Sequence, residues 1–194
     1  MLVVCDLSRA HENKNEMSVK YWDQYYLRNR RQQPSDYARS LDLSKRNVLD
    51  LGCGDGRDTY YFAQSNSAFG IDQATKNTEI TKRIDVIKYL SEIEKADVVY
   101  MRFFLHAVPE SLEDVVLEWV SKNARECFIE CRSDKGEAPD STHYRRLINS
   151  ASLLAKCEKL QFTIVGFEES QGLAVKGSEN PWIIRLHLKT TSHS

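Results

Sequence analysis

The chain has 194 residues, 41% of them hydrophobic and 28% charged, with a net charge of −1. That is enough chain for one globular domain with a real core. The near-neutral balance lacks the basic footprint of a nucleic-acid or anionic-membrane binder, and no apolar run approaches the ~20 residues of a membrane helix.

The start, Met1-Leu2-Val3-Val4-Cys5-Asp6, meets a charge too early for a secretory signal, so a cytoplasmic location is expected. Residues 1–16 turn polar and aperiodic, and read as an N-terminal arm that is mobile or precedes a natural start at Met17. Residues 17–194 read as a single domain. From Val19 to Arg31 the period is helical, with Tyr21, Trp22, Tyr25 and Tyr26 crowded on one side. Such a helix packs on a core or forms an aromatic lid over a ligand, and aromatic faces attract cations. Pro34 breaks it, and a short helix is expected over 35–41.

Strands are expected at 47–51, 68–71, 79–84, 96–101 and 126–131. Helices at 57–65, 86–91, 111–123 and 145–157 alternate with them. Two β-like runs, 160–167 and 182–188, close the chain across a link holding Gly172, Gly177 and Pro181. This alternation predicts an α/β, Rossmann-like, doubly wound and mostly parallel seven-stranded sheet, with an antiparallel C-terminal hairpin at one edge. The five cysteines, Cys5, Cys53, Cys127, Cys131 and Cys157, form no CxxC and have no zinc-type histidine spacing. They read as reduced thiols. No His stands near Cys53 in sequence, which disfavours it as a nucleophile.

The most informative stretch is Val48-Leu49-Asp50-Leu51-Gly52-Cys53-Gly54-Asp55-Gly56-Arg57-Asp58. An apolar strand ends in a glycine-rich turn, and a helix pattern follows. In open α/β sheets ligands bind at this switch point, outside the carboxyl ends of the strands. A dinucleotide site wants GxGxxG, but here the third glycine falls one residue early and Arg57 stands where that motif needs glycine. A dehydrogenase is therefore the outside option.

The DxGxGxG spacing resembles class I S-adenosylmethionine-dependent methyltransferases, and the resemblance covers nearly all the chain from about Met17. It implies S-adenosylmethionine as cofactor, with S-adenosylhomocysteine as product. By that resemblance Asp50, Gly52, Cys53, Gly54 and Gly56 meet the methionyl part and Asp72 binds the ribose diol. Gln73 lies along the adenine, and Asp85 with the Val86 N–H reads its edge. Met101 and Arg102 end strand four beside the methionyl group. Gly56-Arg57-Asp58 is similar to the GR[ND] of small-molecule branches, including tellurite-resistance methyltransferases, where the arginine can meet the cofactor carboxylate. Tyr25 is placed at the cofactor as part of the aromatic lid.

The acceptor must be read after strands four and five. The [ND]PP[YF] motif of amino-adenine and glutamine N-methylating relatives is replaced by Tyr100-Met101-Arg102-Phe103. No acidic cluster suggests a metal. His106 and His143 are candidate general bases, since imidazole titrates near neutrality, and Arg102 is a candidate catalytic or anion-holding group. Arg132, Tyr144, Arg145 and Arg146 are candidate acceptor contacts, because arginine captures carboxylate or phosphate bidentately. The expected reaction is methyl transfer to a small, anionic or sugar-derived acceptor, O- ahead of N-methylation, by a monomer or homodimer with no membrane or nucleic-acid partner. RFFLHA, E-x-R-S and HYRR are similar to bacterial enzymes of surface-glycan type. The alternatives are RNA or protein methylation and a catalytically silent, cofactor-binding regulator.

Overall fold

A computed structural model of the chain describes residues 19–29, 33–93, 95–137 and 144–191. The predicted arm at 1–16 and Cys5 lie outside these residues. Helix α1 spans 19–28 and α2 spans Asp36–Ser40. There follow β1 (Asn47–Leu51), α3 (Arg57–Phe62), β2 (Ser67–Asp72), β3 (Thr81–Arg83), α4 (Val86–Leu90) and β4 (Ala96–Arg102). A 3-10 turn at Leu105–Ala107 leads into α5 (Glu110–Asn123), then β5 (Ala124–Arg132), α6 (Ser150–Lys159), β6 (Phe162–Ser170) and β7 (Ile183–Thr190). Among the described residues, no helix is long and apolar enough to cross a membrane.

The seven strands form one sheet in the order β3-β2-β1-β4-β5-β7-β6. β1 is the centre, parallel to β2 on one side and β4 on the other. Both its faces are covered, which is why Val48, Leu49 and Leu51 are apolar on both sides rather than alternating with exposed polar residues. Leu49 and Leu51 join Val99, Met101, Ile129 and Leu186 in a core closed by α4, α5 and α6. Val48 points the other way, with Val98, Tyr100 and Phe128, onto Tyr37 of α2 and Phe62 of α3.

The closing hairpin is inserted rather than simply appended. β7 pairs antiparallel with β5 and with β6, so the last strand lies inside the sheet and β6 forms its edge. One helix starts later than the periodicity predicts: α6 begins at Ser150, where the Asn149 side chain accepts the Ser152 N–H. A side-chain cap at Asn149 fixes that boundary. Residues 144–149 are therefore an open segment, and this decides where Tyr144, Arg145 and Arg146 can reach. β3 is likewise shorter than expected, three residues after a turn knit by Thr78 and Thr81.

Candidate active site

A cleft of about 580 Å³ opens at the carboxyl ends of β1, β4 and β5. Its lining includes the glycine turn, the start of α2, the loop after β4, the end of β5, Arg145 before α6, the aromatic side of α1, and the link 171–182 between β6 and β7.

The glycine turn is held from β2. Gly52 and Cys53 N–H groups both donate to the Ile71 carbonyl, at 2.9 and 3.1 Å. Gly52, Gly54 and Gly56 all have positive φ, at 74°, 60° and 78°, a region that costs residues with a Cβ about 1–2 kcal/mol. Space excludes a side chain too: a Cβ on Gly54 would lie 2.5 Å from the Tyr26 hydroxyl, so α1 rests directly on the turn. The Asp72 carboxylate accepts the Gly54 N–H at 3.1 Å and the Ala74 N–H at 2.7 Å. The end of β2 and the turn after β1 are thus one hydrogen-bonded unit.

The floor of the cleft is acidic. Asp50 is 2% exposed and accepts the Thr59 hydroxyl at 2.6 Å. Burial pushes its carboxyl up to about 8, with the Asp58 and Asp72 charges adding to the rise. Burial also raises Asp72, against the two N–H donors that favour its anion. Cys53 is buried, and its thiol is pushed well above the usual range by burial and the same carboxylates. It is held as a thiol, which argues against a nucleophile there.

Asp50 has a consequence for stability. A carboxyl raised in the folded state favours folding below its ordinary pKa near 4, and loses that contribution as pH climbs through about 8. Asp50→Asn is expected to lose less stability than the parent between pH 5 and pH 9. Urea unfolding at the two pH values measures this, and equal pH slopes would show that Asp50 ionises normally.

The other end of the cleft is basic. Glu130, 1% exposed, stands between Arg102 and Arg185, each with its Nε 2.8 Å from one carboxylate oxygen. The Arg102 guanidinium lies 4.4 Å from the Phe103 ring centre and that of Arg185 lies 4.6 Å from Tyr37. Phe103 has φ 59° and donates its N–H to the Glu130 carbonyl at 2.7 Å. A bulky residue in this region marks local strain. The strain turns the loop so that Phe103 and His106 both face the cleft, their rings 5.3 Å apart.

His106 is 2% exposed, and its Nδ1 accepts the Arg132 backbone N–H at 3.2 Å. That bond assigns the ring proton to Nε2.

Several expected contacts are placed elsewhere. Arg146 binds the Glu113 carboxylate, the Leu105 carbonyl at 3.1 Å and the Val108 carbonyl at 2.9 Å, while its N–H donates to His106 O at 2.9 Å. It braces the turn that carries His106 rather than meeting an acceptor. Tyr144 is 44% exposed and outside the cleft lining. The Met101 and Val86 side chains are buried in the core, so what these residues can offer a ligand is backbone. Gln73 and Asp85 hydrogen-bond to each other, and Asp85 caps α4 through the Lys88 N–H, so neither lines the cleft. His143 lies outside the described residues.

Arg57, Arg102, Arg132, Arg145 and Tyr25 do line the cleft. Asp58 is buried and accepts from Ser35 and Tyr100, tying α2 to β4. Residues not singled out from the sequence also converge: Tyr37, Lys176, Glu179 and Arg185. Arg185 had one legible signal, an arginine inside the mostly apolar Ile183–Leu188 run; Lys176 and Glu179 sit in a turn-rich link and had none.

No protein-family profile matches the chain, and no curated protein matches it by sequence. Solved structures do match. TehB from Haemophilus influenzae superposes with a TM-score of 0.62 at 15% identity over 80% of this chain. This chain spans 60% of the length of that protein. The 1,6-didemethyltoxoflavin-N1-methyltransferase of Burkholderia thailandensis, solved with S-adenosylhomocysteine, gives 0.58 at 17% identity, covering 76% of this chain and 72% of its own. Magnesium protoporphyrin IX methyltransferase from Synechocystis PCC 6803, solved with S-adenosylmethionine, gives 0.54 at 16%, covering 97% and 84%. The fold is that of the S-adenosylmethionine-dependent methyltransferases, with the seven-stranded sheet and the C-terminal hairpin expected from the sequence.

Proposed function

We propose that the chain is an S-adenosylmethionine-dependent methyltransferase acting on a small anionic or sugar-derived acceptor, with O-methylation ahead of N-methylation. The observation that carries this reading is one cleft with two unlike ends. A carboxylate-lined glycine turn suits a cationic cofactor, and an arginine-lined wall suits an anion.

The residues fit the cofactor. Two carboxyls raised by burial, Asp50 and Asp72, lie where a positive ligand would restore their charge. Bare backbone at Gly52 and Gly54 allows close approach. Asp72 can accept both hydroxyls of a vicinal diol, and Arg57 can meet a carboxylate. Adenine recognition through Gln73, Asp85 and the Val86 N–H requires the Gln73–Asp85 bond to open. When bound, the cofactor supplies a methyl group on a sulfonium, open to in-line displacement. The protein aligns the acceptor and excludes water. Trp22, Tyr25 and Tyr26 close one side, Arg132 and Arg145 hold the acceptor, and His106 donates a hydrogen bond to it.

Equilibrium binding of S-adenosylmethionine against NAD tests the first half, and preference for NAD would overturn it. Transfer of labelled methyl to a metabolite extract tests the second. Cofactor binding without labelled product in any extract would leave a silent regulator. His106→Ala is expected to keep cofactor affinity and to lower turnover about tenfold, the value of one well-placed hydrogen bond. Equal turnover would remove His106 from the site.

A further inference from the structure

The wall opposite the glycine turn holds an unusual pair. Arg132, at the end of β5, and Arg145, in the open segment before α6, both face the cleft. Burial and then the neighbouring Arg132 charge lower the pKa of Arg145, so the two guanidiniums feel each other. Two like charges in a partly desolvated wall call for an anion between them. Arg145 Nε is buried with no hydrogen-bond partner among the described residues, and its guanidinium lies 5.5 Å from the Trp22 ring centre.

Arg132 has a partner of a particular kind. Its Nη2 donates to the Glu179 carboxylate at 3.2 Å. Glu179 is 60% exposed and belongs to the link between β6 and β7. Its backbone pairs both ways with Lys176, at 2.9 and 3.0 Å, and Lys176 Nζ reaches the Tyr25 hydroxyl at 3.1 Å. A surface carboxylate thus already sits at the rim of the arginine pair, hydrogen-bonded to Arg132 and acting on Arg145 through its charge alone.

We propose that Glu179 is an internal stand-in for the acceptor's own carboxylate: a carboxylic acid enters, takes Arg132 and Arg145 together, and releases Glu179 to water. This rests on the reading of the cleft as a methyl-acceptor site. The exchange is favourable because an exposed ion pair is worth little, whereas a carboxylate shared by two desolvated guanidiniums gains charge-assisted bonds on both. A carboxylic acid fits because its two oxygens can serve one arginine each. Nothing covalent changes. One carboxylate replaces another, and Glu179 sets a threshold that neutral molecules of the same shape cannot profit from lowering.

Calorimetric titrations of benzoate and its neutral isostere benzamide test this, with and without S-adenosylhomocysteine, on the parent protein, Glu179→Gln and Arg145→Gln. Glu179→Gln is expected to bind benzoate about threefold to fivefold tighter, as loss of a surface-pair competitor predicts, with benzamide unchanged. Arg145→Gln is expected to bind benzoate at least about tenfold more weakly. Benzoate affinity unchanged or weakened in Glu179→Gln, or no benzoate binding by any of the three proteins, would overturn the exchange. Absence of S-adenosylhomocysteine binding, with benzoate following the expected order, would overturn the cofactor reading and leave the exchange standing.

Discussion

Glu130→Ala is expected to lower folding stability by about 3–5 kcal/mol, the cost of removing one partner from a buried ion pair. Glu130 is 1% exposed and the Arg102 and Arg185 side chains are each 17% exposed, so solvent can screen little of what is left. Two guanidiniums would face each other without the carboxylate between them. Arg185 bridges further, donating to the Leu173 carbonyl at 2.9 Å, so the loss would reach the link that borders the cleft. Urea unfolding of the variant measures the loss. The control is Glu130→Met with Arg102→Met and Arg185→Met, which removes all three charges together. It should recover part of the stability, because an apolar cluster replaces a buried ion triad at little net cost. A loss below about 1 kcal/mol in Glu130→Ala would show that water reaches the arginines.

Asp72→Ala is expected to weaken S-adenosylmethionine binding by roughly 1–3 kcal/mol, a factor of about 5 to 150. Two effects act together. The variant loses the bidentate acceptor for the diol, and it frees the Gly54 and Ala74 N–H groups that the carboxylate now holds. Asp72→Asn separates them. An amide oxygen can still accept one N–H, so the turn is kept in part while bidentate acceptance is lost. Titration calorimetry with S-adenosylmethionine and S-adenosylhomocysteine reads both variants. Unchanged affinity in Asp72→Ala would mean that the diol is recognised elsewhere.

The adenosine half of the site shows how far a motif carries. Asp72 ends β2 beside the glycine turn because β1 and β2 are parallel neighbours in register, Asp50 opposite Gly70 and Leu51 opposite Ile71. That adjacency follows from the strand–helix–strand pattern, which sequence displays. Asp85 also stands where the resemblance puts it, after β3, and its carboxylate accepts the Lys88 N–H and a hydrogen bond from Gln73. A capping bond depends on local backbone angles, and one acidic letter in a sequence does not distinguish a cap from a ligand contact.

The arginines make the same point from the other side. Arg132, Arg145 and Arg146 look equivalent in the sequence, a basic group following strand five. The Asn149 cap delays α6, and the residues before it run in an open segment. Arg145 then faces Trp22, while Arg146 is drawn to the buried Glu113, which Lys156 also reaches at 2.9 Å. Neighbours in sequence are divided by which buried carboxylate lies within reach.

The sequence by itself determined the sheet and the turn. A short buried strand, three glycines at alternate positions and a following helical period allow few backbone arrangements, because sterics and burial act over neighbouring residues. Tertiary structure alone decided the basic end of the cleft. Glu130 meets Arg185 only because β7 inserts beside β5, and Glu179 reaches Arg132 only because the β6–β7 link folds back over the rim. Glu130 and Arg185 pair across 55 residues and Arg132 and Glu179 across 47. At such separations loop-closure entropy weakly favours any one pairing, so charge partners were chosen by strand order and not by spacing.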